Sequence, residues 1–350
     1  MALLFLFCGS CEKSAVENQN NVLAIKTQAQ GTHLSLTDAI TLERPETGPF
    51  LGRVRTITVL DDYIIIVDES VRVFDKEGSY KWSIGSRGDG EGQYKIPGEP
   101  VVIPNTGQIL IYDGGTGQTL RFSIKGEFLG QLKLPERRFI NRMVVSEDHN
   151  LIHTYVDKNK NGMLCVTPLD TGEDIARFKV SEAKYSNLFF GLKRSQGLAY
   201  DETRKIIYFA LPWEEKVMRI DLAAQEFLTP ITINHPKFIN LKLNEGDERK
   251  NIIELFQNKF SRLGGMYLLS SGDILLRYMF EDSSMSTALI LLSDLDVEPS
   301  AQELKNKLRY NVFTSHGKSI YAYSSSADGE DTNGRIRVYR LTEPEEAPTG

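Results

Sequence analysis

Short runs of β-branched, aromatic and aliphatic residues alternate with turns of Gly, Asn, Asp and Pro through most of the chain. The clearest group comprises four such runs, Pro100–Ile103, Gln108–Asp113, Thr119–Ile124 and Glu127–Leu134. Runs of this length and composition predict β-strands, and the tight turns between them predict antiparallel hairpins. The segment that follows Glu99 is therefore predicted to form a four-stranded antiparallel sheet.

The same pattern occurs elsewhere in the chain and gives six units in total. The first unit has runs at 54–60, 63–68, 71–75 and 79–84. The third unit has runs at 142–146, 150–156, 162–169 and 174–180. The fourth unit has a run that begins at 197 and further runs at 205–210, 216–222 and 226–233. The fifth unit has runs at 265–269, 273–279 and 287–293 and a weak fourth run. Repeats of roughly 40 residues with several short strands are typical of β-propellers. The sequence thus predicts an all-β fold, a six-bladed β-propeller of four-stranded antiparallel blades, with five or seven blades as the alternatives because the third and fifth units are weak.

The sixth unit has runs at 310–314, 318–324 and 334–341 and lacks a fourth. A strand-like stretch at 33–42 precedes the first unit and belongs to no other. If this stretch pairs with the last blade, the ring closes and no open seam remains. We therefore expect a propeller over residues 31–343, closed by an N-terminal strand and followed by an acidic, Pro-rich tail at 344–350.

One segment, about 244–263, interrupts the repeat between the fourth and fifth units. Apolar residues at Ile252, Ile253, Leu255 and Phe256 have the spacing of an amphipathic helix. This helical insertion has two open interpretations: a lid packed on the apolar edge of a blade, or a flap on the ligand-facing side.

The N-terminus predicts export. Residues 2–7 are apolar and too few to span a bilayer, but they suit the core of a signal peptide. The following Gly9-Ser10-Cys11 resembles a bacterial lipobox, which implies cleavage and lipidation at Cys11. Residues 1–11 are accordingly assigned as signal peptide with lipobox, and the polar stretch 12–30 as a flexible tether. The expected location is the cell envelope, with a lipid anchor on the periplasmic face or at the cell surface.

The Gly-rich stretch Ile84–Pro97 ends in Gly-Gln-Tyr and then Pro, and resembles the signature loop of NHL-type propeller repeats. Asp113, Arg121-Phe122 and Gly126 continue that pattern in the next unit. Together with the lipobox, the chain resembles the six-bladed propeller lipoproteins of Bacteroidetes. This resemblance implies a fold and a location and leaves the ligand open.

Composition narrows the partners. The formal net charge is −6, and Lys and Arg are scattered, so we expect no nucleic-acid binding. The five histidines show no metal-ligand spacing. Cys165 is the one cysteine after Cys11, and its burial as a small hydrophobic residue is the favoured interpretation.

The candidate ligand site lies on the loops that gather at one face of the ring. Aromatic rings there would stack on a sugar or peptide, and charged groups would orient it. The selected ligand-binding residues are Arg87, Asp89, Tyr94, Asp113, Trp213 and Glu214, and loops at the same face also carry Glu91, Asp157, Lys158, Asn159 and Glu215. Trp213 is the strongest single candidate.

Two functions remain open at this point. The favoured one is a lipid-anchored binding or scaffold module for a small molecule, glycan or peptide. The alternative is a metal-dependent enzyme similar to propeller lactonases and lyases, in which Glu, Asn and Asp from several blades hold a divalent cation such as Ca²⁺ at the channel mouth.

Overall fold

The structure is a computed structural model that describes residues 13–14, 21–24, 33–43, 51–135, 138–192, 195–241, 243, 260–280, 287–296, 299–304, 312–324 and 334–342. Three strands precede the first blade: β1 (Lys13–Ser14), β2 (Asn21–Ala24) and β3 (His33–Thr41). Over the described ranges the regular structure is β apart from a 3₁₀ turn (Ala183–Tyr185) and one short helix, α1 (Ser186–Gly191). None of the helical structure in this described part is long and apolar enough to cross a membrane.

The first three blades each contain four consecutive strands. Blade 1 comprises β4 (Thr56–Val59), β5 (Tyr63–Val67), β6 (Val71–Asp75) and β7 (Tyr80–Ile84), and two very short strands, β8 (Ser86–Arg87) and β9 (Gln93–Tyr94), follow it. Blade 2 comprises β10 (Pro97–Ile103), β11 (Gln108–Asp113), β12 (Gln118–Ser123) and β13 (Phe128–Leu132). Blade 3 comprises β14 (Arg142–Val145), β15 (Asn150–Val156), β16 (Gly162–Pro168) and β17 (Ala176–Ser181).

The last three blades complete the ring. Blade 4 comprises β18 (Gly197–Asp201), β19 (Ile206–Ala210), β20 (Lys216–Asp221) and β21 (Glu226–Asn234). Blade 5 comprises β22 (Arg262–Leu268), β23 (Ile274–Met279), β24 (Thr287–Ser293) and β25 (Ser300–Leu304). Blade 6 comprises β26 (Val312–His316), β27 (Ser319–Ser324) and β28 (Arg335–Thr342). The predicted six-bladed fold of four-stranded antiparallel blades is confirmed.

The fourth strand of blade 6 is β3, from the beginning of the chain. It pairs antiparallel with β28, from His33 opposite Thr342 to Thr41 opposite Arg335. The predicted closure by an N-terminal strand is therefore present, and it ties the first described strand of the ring to the last.

Apolar clusters fill the seam between each pair of neighbouring blades. In β5, Ile64 and Ile66 pack toward blade 6, and Ile65 and Val67 pack toward blade 2. A strand covered on both faces is apolar at successive positions and not at alternate ones, which explains the continuous run Ile64–Val67.

The structure describes only parts of the predicted tether, 12–30, and of the predicted helical insertion, 244–263. Within 12–30, β1 pairs parallel with β17 of blade 3 and β2 pairs parallel with β21 of blade 4, since an outer strand edge offers unpaired backbone groups. The predicted helix lies outside the described residues over 244–259, and β22 already begins at Arg262. The segments 1–11 and 344–350 also lie outside the described residues.

Two sets of loops share one face of the ring, called the loop face here. They are the loops from the outer strand of one blade to the inner strand of the next, and the loops between the second and third strands of a blade. Contacts between the two sets show this: Asp68 accepts a hydrogen bond from the Gly52 N–H at 2.8 Å, and the Leu263 N–H donates to the Pro212 carbonyl at 2.7 Å. Every inner strand begins at the loop face.

Candidate functional site

A channel with a volume of about 700 Å³ lies at the centre of the ring. Its wall is built from the inner strands of all six blades, β4, β10, β14, β18, β22 and β26. Because each of these strands begins at the loop face, their first residues line that end of the channel. The channel is concave, lies where all six blades meet and is large enough for a small ligand, and we treat it as the candidate site.

Charged residues from three blades line the loop-face end of the channel. Arg55 directly precedes β4, Glu99 lies near the start of β10, and Arg142 begins β14. All three side chains are half-buried, and the Arg142 guanidinium donates to the Glu99 carboxylate. The described wall residues include four arginines, since Arg53 and Arg277 also line the channel, and one carboxylate, that of Glu99.

Blade 5 contributes two further polar side chains, Tyr267 and Arg277, beside the adjacent glycines Gly264 and Gly265 of β22. A Cβ on Gly265 would lie 2.1 Å from the phenol oxygen of Tyr267, which is a steric clash, so the observed position of this ring requires glycine at 265. Gly265 is also the register partner of Arg277 on β23. The absence of a side chain on the inner strand thus leaves room at the wall for Tyr267 and Arg277, both of which line the channel.

Burial controls the protonation of these groups. It raises the pKa of Tyr267 to about 12, so the phenol keeps its proton and can donate a hydrogen bond. Burial also lowers the pKa of the Arg277 guanidinium, against which Tyr267 acts in the opposite direction. The charge of Arg142 lowers the pKa of Tyr267 and that of Glu99 raises it. Groups of blades 2, 3 and 5 therefore lie close enough in the channel to interact electrostatically.

A side recess of about 80 Å³ opens beside Arg55, Glu99 and Arg142. Its remaining wall is largely apolar and includes Ile96, Pro97, Ile140 and Met143. The recess gives the cationic end of the channel an apolar neighbour on the loop face.

Two phenylalanines continue this apolar surface. Phe139, next to Ile140 of the recess, packs edge-on against Phe190 of α1 with ring centroids 6.4 Å apart. They are 47% and 45% exposed, unusual for a pair of such rings. This aromatic pair was not selected from the sequence.

Tyr94, a predicted ligand residue, lies in the core between blades 1 and 2 with 0% exposure. Its phenol accepts a hydrogen bond from the Val71 N–H at 3.0 Å and donates to the Ile84 carbonyl at 3.1 Å. The ring fixes the long loop to blade 1 and offers no surface to a ligand.

Asp113 organises the loop face of blade 2 internally. Its carboxylate accepts hydrogen bonds from the N–H groups of Lys95, Ile96 and Gly115 and from the Thr116 hydroxyl. Although burial raises the pKa of Asp113, these donors outweigh it and hold the pKa below its usual value. Because both carboxylate oxygens accept hydrogen bonds from the loop, Asp113 stabilises the conformation of the loop backbone.

The Gly-rich loop after blade 1 is also closed on itself. Gln93 accepts from the Gly90 N–H at 2.7 Å and donates to the Ser86 hydroxyl at 3.1 Å. Arg87 and Asp89 are exposed and pair with Glu69 at 3.4 Å and Lys95 at 2.7 Å, and Glu91 is exposed as well. None of these three is among the described residues of the channel wall.

Trp213 is 2% exposed and stacks on Tyr185 with centroids 5.5 Å apart. It belongs to the apolar cluster between blades 3 and 4, so its ring is a packing element. The neighbouring Glu214 and Glu215 are half-buried, and burial raises the pKa of both, that of Glu215 to about 7. Glu215 accepts a hydrogen bond from the His235 N–H at 2.8 Å.

Asp157, Lys158 and Asn159 occupy the hairpin turn between β15 and β16. Asp157 accepts from the Asn161 N–H at 2.7 Å, which closes the turn, while Lys158 and Asn159 are exposed. The Asp157 carboxylate therefore stabilises the turn.

Cys165, His153 and Asp174 lie together in blade 3, inside the seam toward blade 2. Arg138 donates to both oxygens of Asp174 at 2.8 and 2.7 Å and contacts His153 Nε2 at 3.2 Å. Burial raises the pKa of Cys165 to about 12 and lowers the pKa of His153 to about 4. A neutral thiol without solvent access is a poor nucleophile, so we assign the cluster a structural role. Arg138, in the segment between blades 2 and 3, bonds Asp174 and contacts His153 and thereby fixes that segment to blade 3.

Metal chemistry finds little support in the described residues. They contain no group of three His, Cys, Asp or Glu side chains placed to hold a metal ion. At the channel wall, Glu99 already pairs with Arg142. The charge of the wall, as far as it is described, favours an anion over a cation such as Ca²⁺.

Comparison with known proteins supports the architecture. The sequence family described as "Domain of unknown function (DUF4934)" matches residues 34–196, from β3 through blade 3. A search of curated proteins finds no match.

Solved structures show the same fold. A crystal structure from Bacteroides fragilis, of a protein predicted to be exported, has 16% identity and a TM-score of 0.67 and covers 92% of this chain and 99% of its own. A member of the DUF4221 family from Bacteroides vulgatus has 11% identity and a TM-score of 0.62 over 90% of this chain and 100% of its own. Virginiamycin B lyase from Staphylococcus aureus has 14% identity and a TM-score of 0.50 over 89% of this chain and 100% of its own. At these identities the likeness establishes the six-bladed propeller alone.

Proposed function

We propose that the protein is an exported, lipid-anchored binding module that takes a small molecule, or the end of a glycan or peptide, into the loop-face end of its central channel. The observation that carries this proposal is the channel itself. Its volume of about 700 Å³ falls in the range of roughly 300–1,000 Å³ typical of ligand sites. Its wall combines polar groups from different blades with apolar surface.

The loop face supplies the aromatic surface that a binding module needs. Phe139 and Phe190 are exposed beside the side recess, whereas Tyr94 and Trp213 are buried in seams. Exposed apolar surface close to a concave polar site is typical of a binding surface. The phenylalanine pair thus takes the role that the sequence suggested for Tyr94 and Trp213.

Export and anchoring rest on the N-terminal segment. The apolar residues 2–7 and the motif at Cys11 support it, and so does the description of the Bacteroides fragilis neighbour. Replacing Cys11 with Ser is expected to move the protein from the membrane fraction to the soluble fraction. Retention of that variant in the membrane fraction would contradict the anchor.

The enzyme alternative is the less well supported function. A divalent cation prefers several carboxylate or carbonyl oxygens. Among described wall residues the carboxylate available is that of Glu99, next to guanidinium groups. Binding without catalysis agrees better with this wall.

A plugged channel tests the proposal. Thr314 lies on β26 and lines the channel, so Thr314→Trp is expected to fill part of it, whereas Thr314→Val preserves the shape. Small sugars, organic acids and short peptides are screened by thermal shift and isothermal titration calorimetry. A compound that binds the wild type and the Val variant should lose binding to the Trp variant. Unchanged binding to the Trp variant would overturn the assignment of the channel.

A further inference from the structure

We propose that the channel selects a small organic carboxylate, with its carboxylate at Arg55, Arg142 and Arg277 and its ring or apolar part in the side recess. This inference rests on the proposed function, since it names the ligand class of the same site. It follows from the charge of the wall, from unsatisfied donors in it and from the polarity of the recess.

The sign of the wall charge is opposite to that of the whole protein. The chain has a formal net charge of −6, yet the described channel wall contains four arginines and one carboxylate. Such a local excess of positive charge, enclosed by protein of low dielectric, attracts an anion and repels a cation.

The arginines leave donors for this anion. Arg142 uses Nη1 for Glu99, but its Nε is buried and has no acceptor among the described residues. Arg55 forms no ion pair with a described residue. A guanidinium offers up to five N–H donors in a planar fork that matches a carboxylate. A carboxylate between Arg55 and Arg142 would therefore complete both.

A second buried donor lies on the same wall. Thr56 lines both the channel and the side recess, and its buried hydroxyl has no hydrogen-bond partner among the described residues. Buried polar groups of native proteins are normally paired with protein, water or ligand. Thr56 and Arg142 thus provide two donors at the junction between channel and recess.

Arg277 and Tyr267 continue the channel wall toward blade 5. The Arg277 guanidinium adds positive charge there, and burial keeps the Tyr267 phenol neutral. A carboxylate in the channel is therefore attracted by arginines of blades 1, 3 and 5.

The side recess restricts the rest of the ligand. Ile96, Pro97, Ile140 and Met143 form an apolar wall next to Arg55 and Arg142. A simple inorganic anion would leave this wall uncovered, whereas the ring of an organic acid would bury it. The recess therefore favours an organic carboxylate over phosphate or sulfate.

The test uses matched probes on the full protein by isothermal titration calorimetry at constant ionic strength. Benzoate is compared with benzamide, D-glucuronate with D-glucose, and both acids with sodium sulfate. At least one acid should bind, and its neutral counterpart and sulfate should bind at least about tenfold more weakly, as expected for loss of a charge-assisted hydrogen bond. Arg55→Gln and Thr56→Val should weaken binding of that acid, Arg55→Gln by about tenfold or more.

The control variant is Arg121→Gln, an arginine on β12 that bonds Gln108 and does not line the channel. It should bind the acid like the wild type. Equal binding of the acids and their neutral counterparts, sulfate binding as tight as that of the acids, or no binding of either acid would overturn the inference. The Thr314→Trp test can still succeed with a neutral ligand, in which case the channel remains the site and the carboxylate assignment falls.

Discussion

The Gly-rich loop after blade 1 and the central channel use their polar groups in different ways. In the loop, Gln93 bonds the loop itself and Tyr94 bonds blade 1. In the channel, Arg142 Nε and the Thr56 hydroxyl are buried without an acceptor among the described residues. The polar groups of the loop are bonded within the protein, whereas these two groups of the channel have no partner among the described residues. A substitution in the loop should therefore reduce stability, and one in the channel should reduce binding.

The largest loss of stability is expected at Tyr94. Tyr94→Ala removes a fully buried ring from the seam between blades 1 and 2, and should lower the free energy of unfolding by about 3–5 kcal/mol. Tyr94→Phe keeps the ring but leaves the Val71 N–H and the Ile84 carbonyl without their partner, at a cost of about 1–3 kcal/mol. Urea denaturation measures both, and a cost below about 1 kcal/mol for Tyr94→Ala would contradict the core placement.

A smaller loss is expected at Gly85, where the backbone has a φ of +63°. A Cβ there would lie 2.9 Å from the Gly92 carbonyl oxygen, so Gly85→Ala combines conformational strain with a backbone contact. The expected cost is about 1–3 kcal/mol. Gly107→Ala is the matched control, because Gly107 has a φ of +64° and nothing within 4 Å of the added Cβ. Equal costs for the two variants would show that the contact with Gly92 is not important.

Glu215 should make stability depend on pH. Burial raises the pKa of its carboxyl from 4.5 to about 7, so the folded state holds a proton that the unfolded state has already released. Stability contributed by this group is full at low pH and decreases as the pH rises from about 4.5 through 7. Between pH 5 and 8, the melting temperature of the wild type should decrease more than that of Glu215→Gln; parallel pH profiles would contradict this assignment.

The smallest effect on stability is expected at Arg55. Its side chain is half-buried at the channel wall and forms no ion pair with a described residue. Arg55→Gln should therefore change the free energy of unfolding by less than about 0.5 kcal/mol, as is usual for positions without buried partners. A loss comparable with that of Gly85→Ala would mean that Arg55 supports the fold and would remove the contrast between loop and channel.

The architecture was predictable because its signals are local. A four-residue to eight-residue run of β-branched and aromatic residues predicts a strand. The missing strand of the last unit and the orphan strand at 33–42 then predict closure, which the β3–β28 pairing confirms. The bounds of most strands follow the same turn residues.

The channel was not predictable in this way because its groups are distant in sequence. Arg55, Glu99, Arg142 and Arg277 belong to four blades, and each lacks a local motif. For Arg55, Glu99 and Arg142 the useful signal was positional, because each lies at or next to the start of an inner strand, and the inner strands form the channel wall. Gly264-Gly265 on a predicted inner strand was a further sign that other side chains need space there.

The sequence alone also did not predict which aromatic residues of the loops are buried and which are exposed. Tyr94 and Trp213 occur in polar loops, but neighbouring blades bury both rings. Phe139 and Phe190 occur next to apolar residues, yet they remain exposed. Whether a loop aromatic packs inward depends on the adjacent blade, which a local pattern does not contain.

The most direct measurement of the channel assignment is a crystal structure of the protein grown with benzoate or D-glucuronate. We expect density for the carboxylate within hydrogen-bond distance of Arg142 Nε and the Arg55 guanidinium, with the remainder of the molecule against Ile96 and Pro97. Ligand density on the Gly-rich loop near Arg87 and Asp89, with a channel free of ligand, would contradict the account.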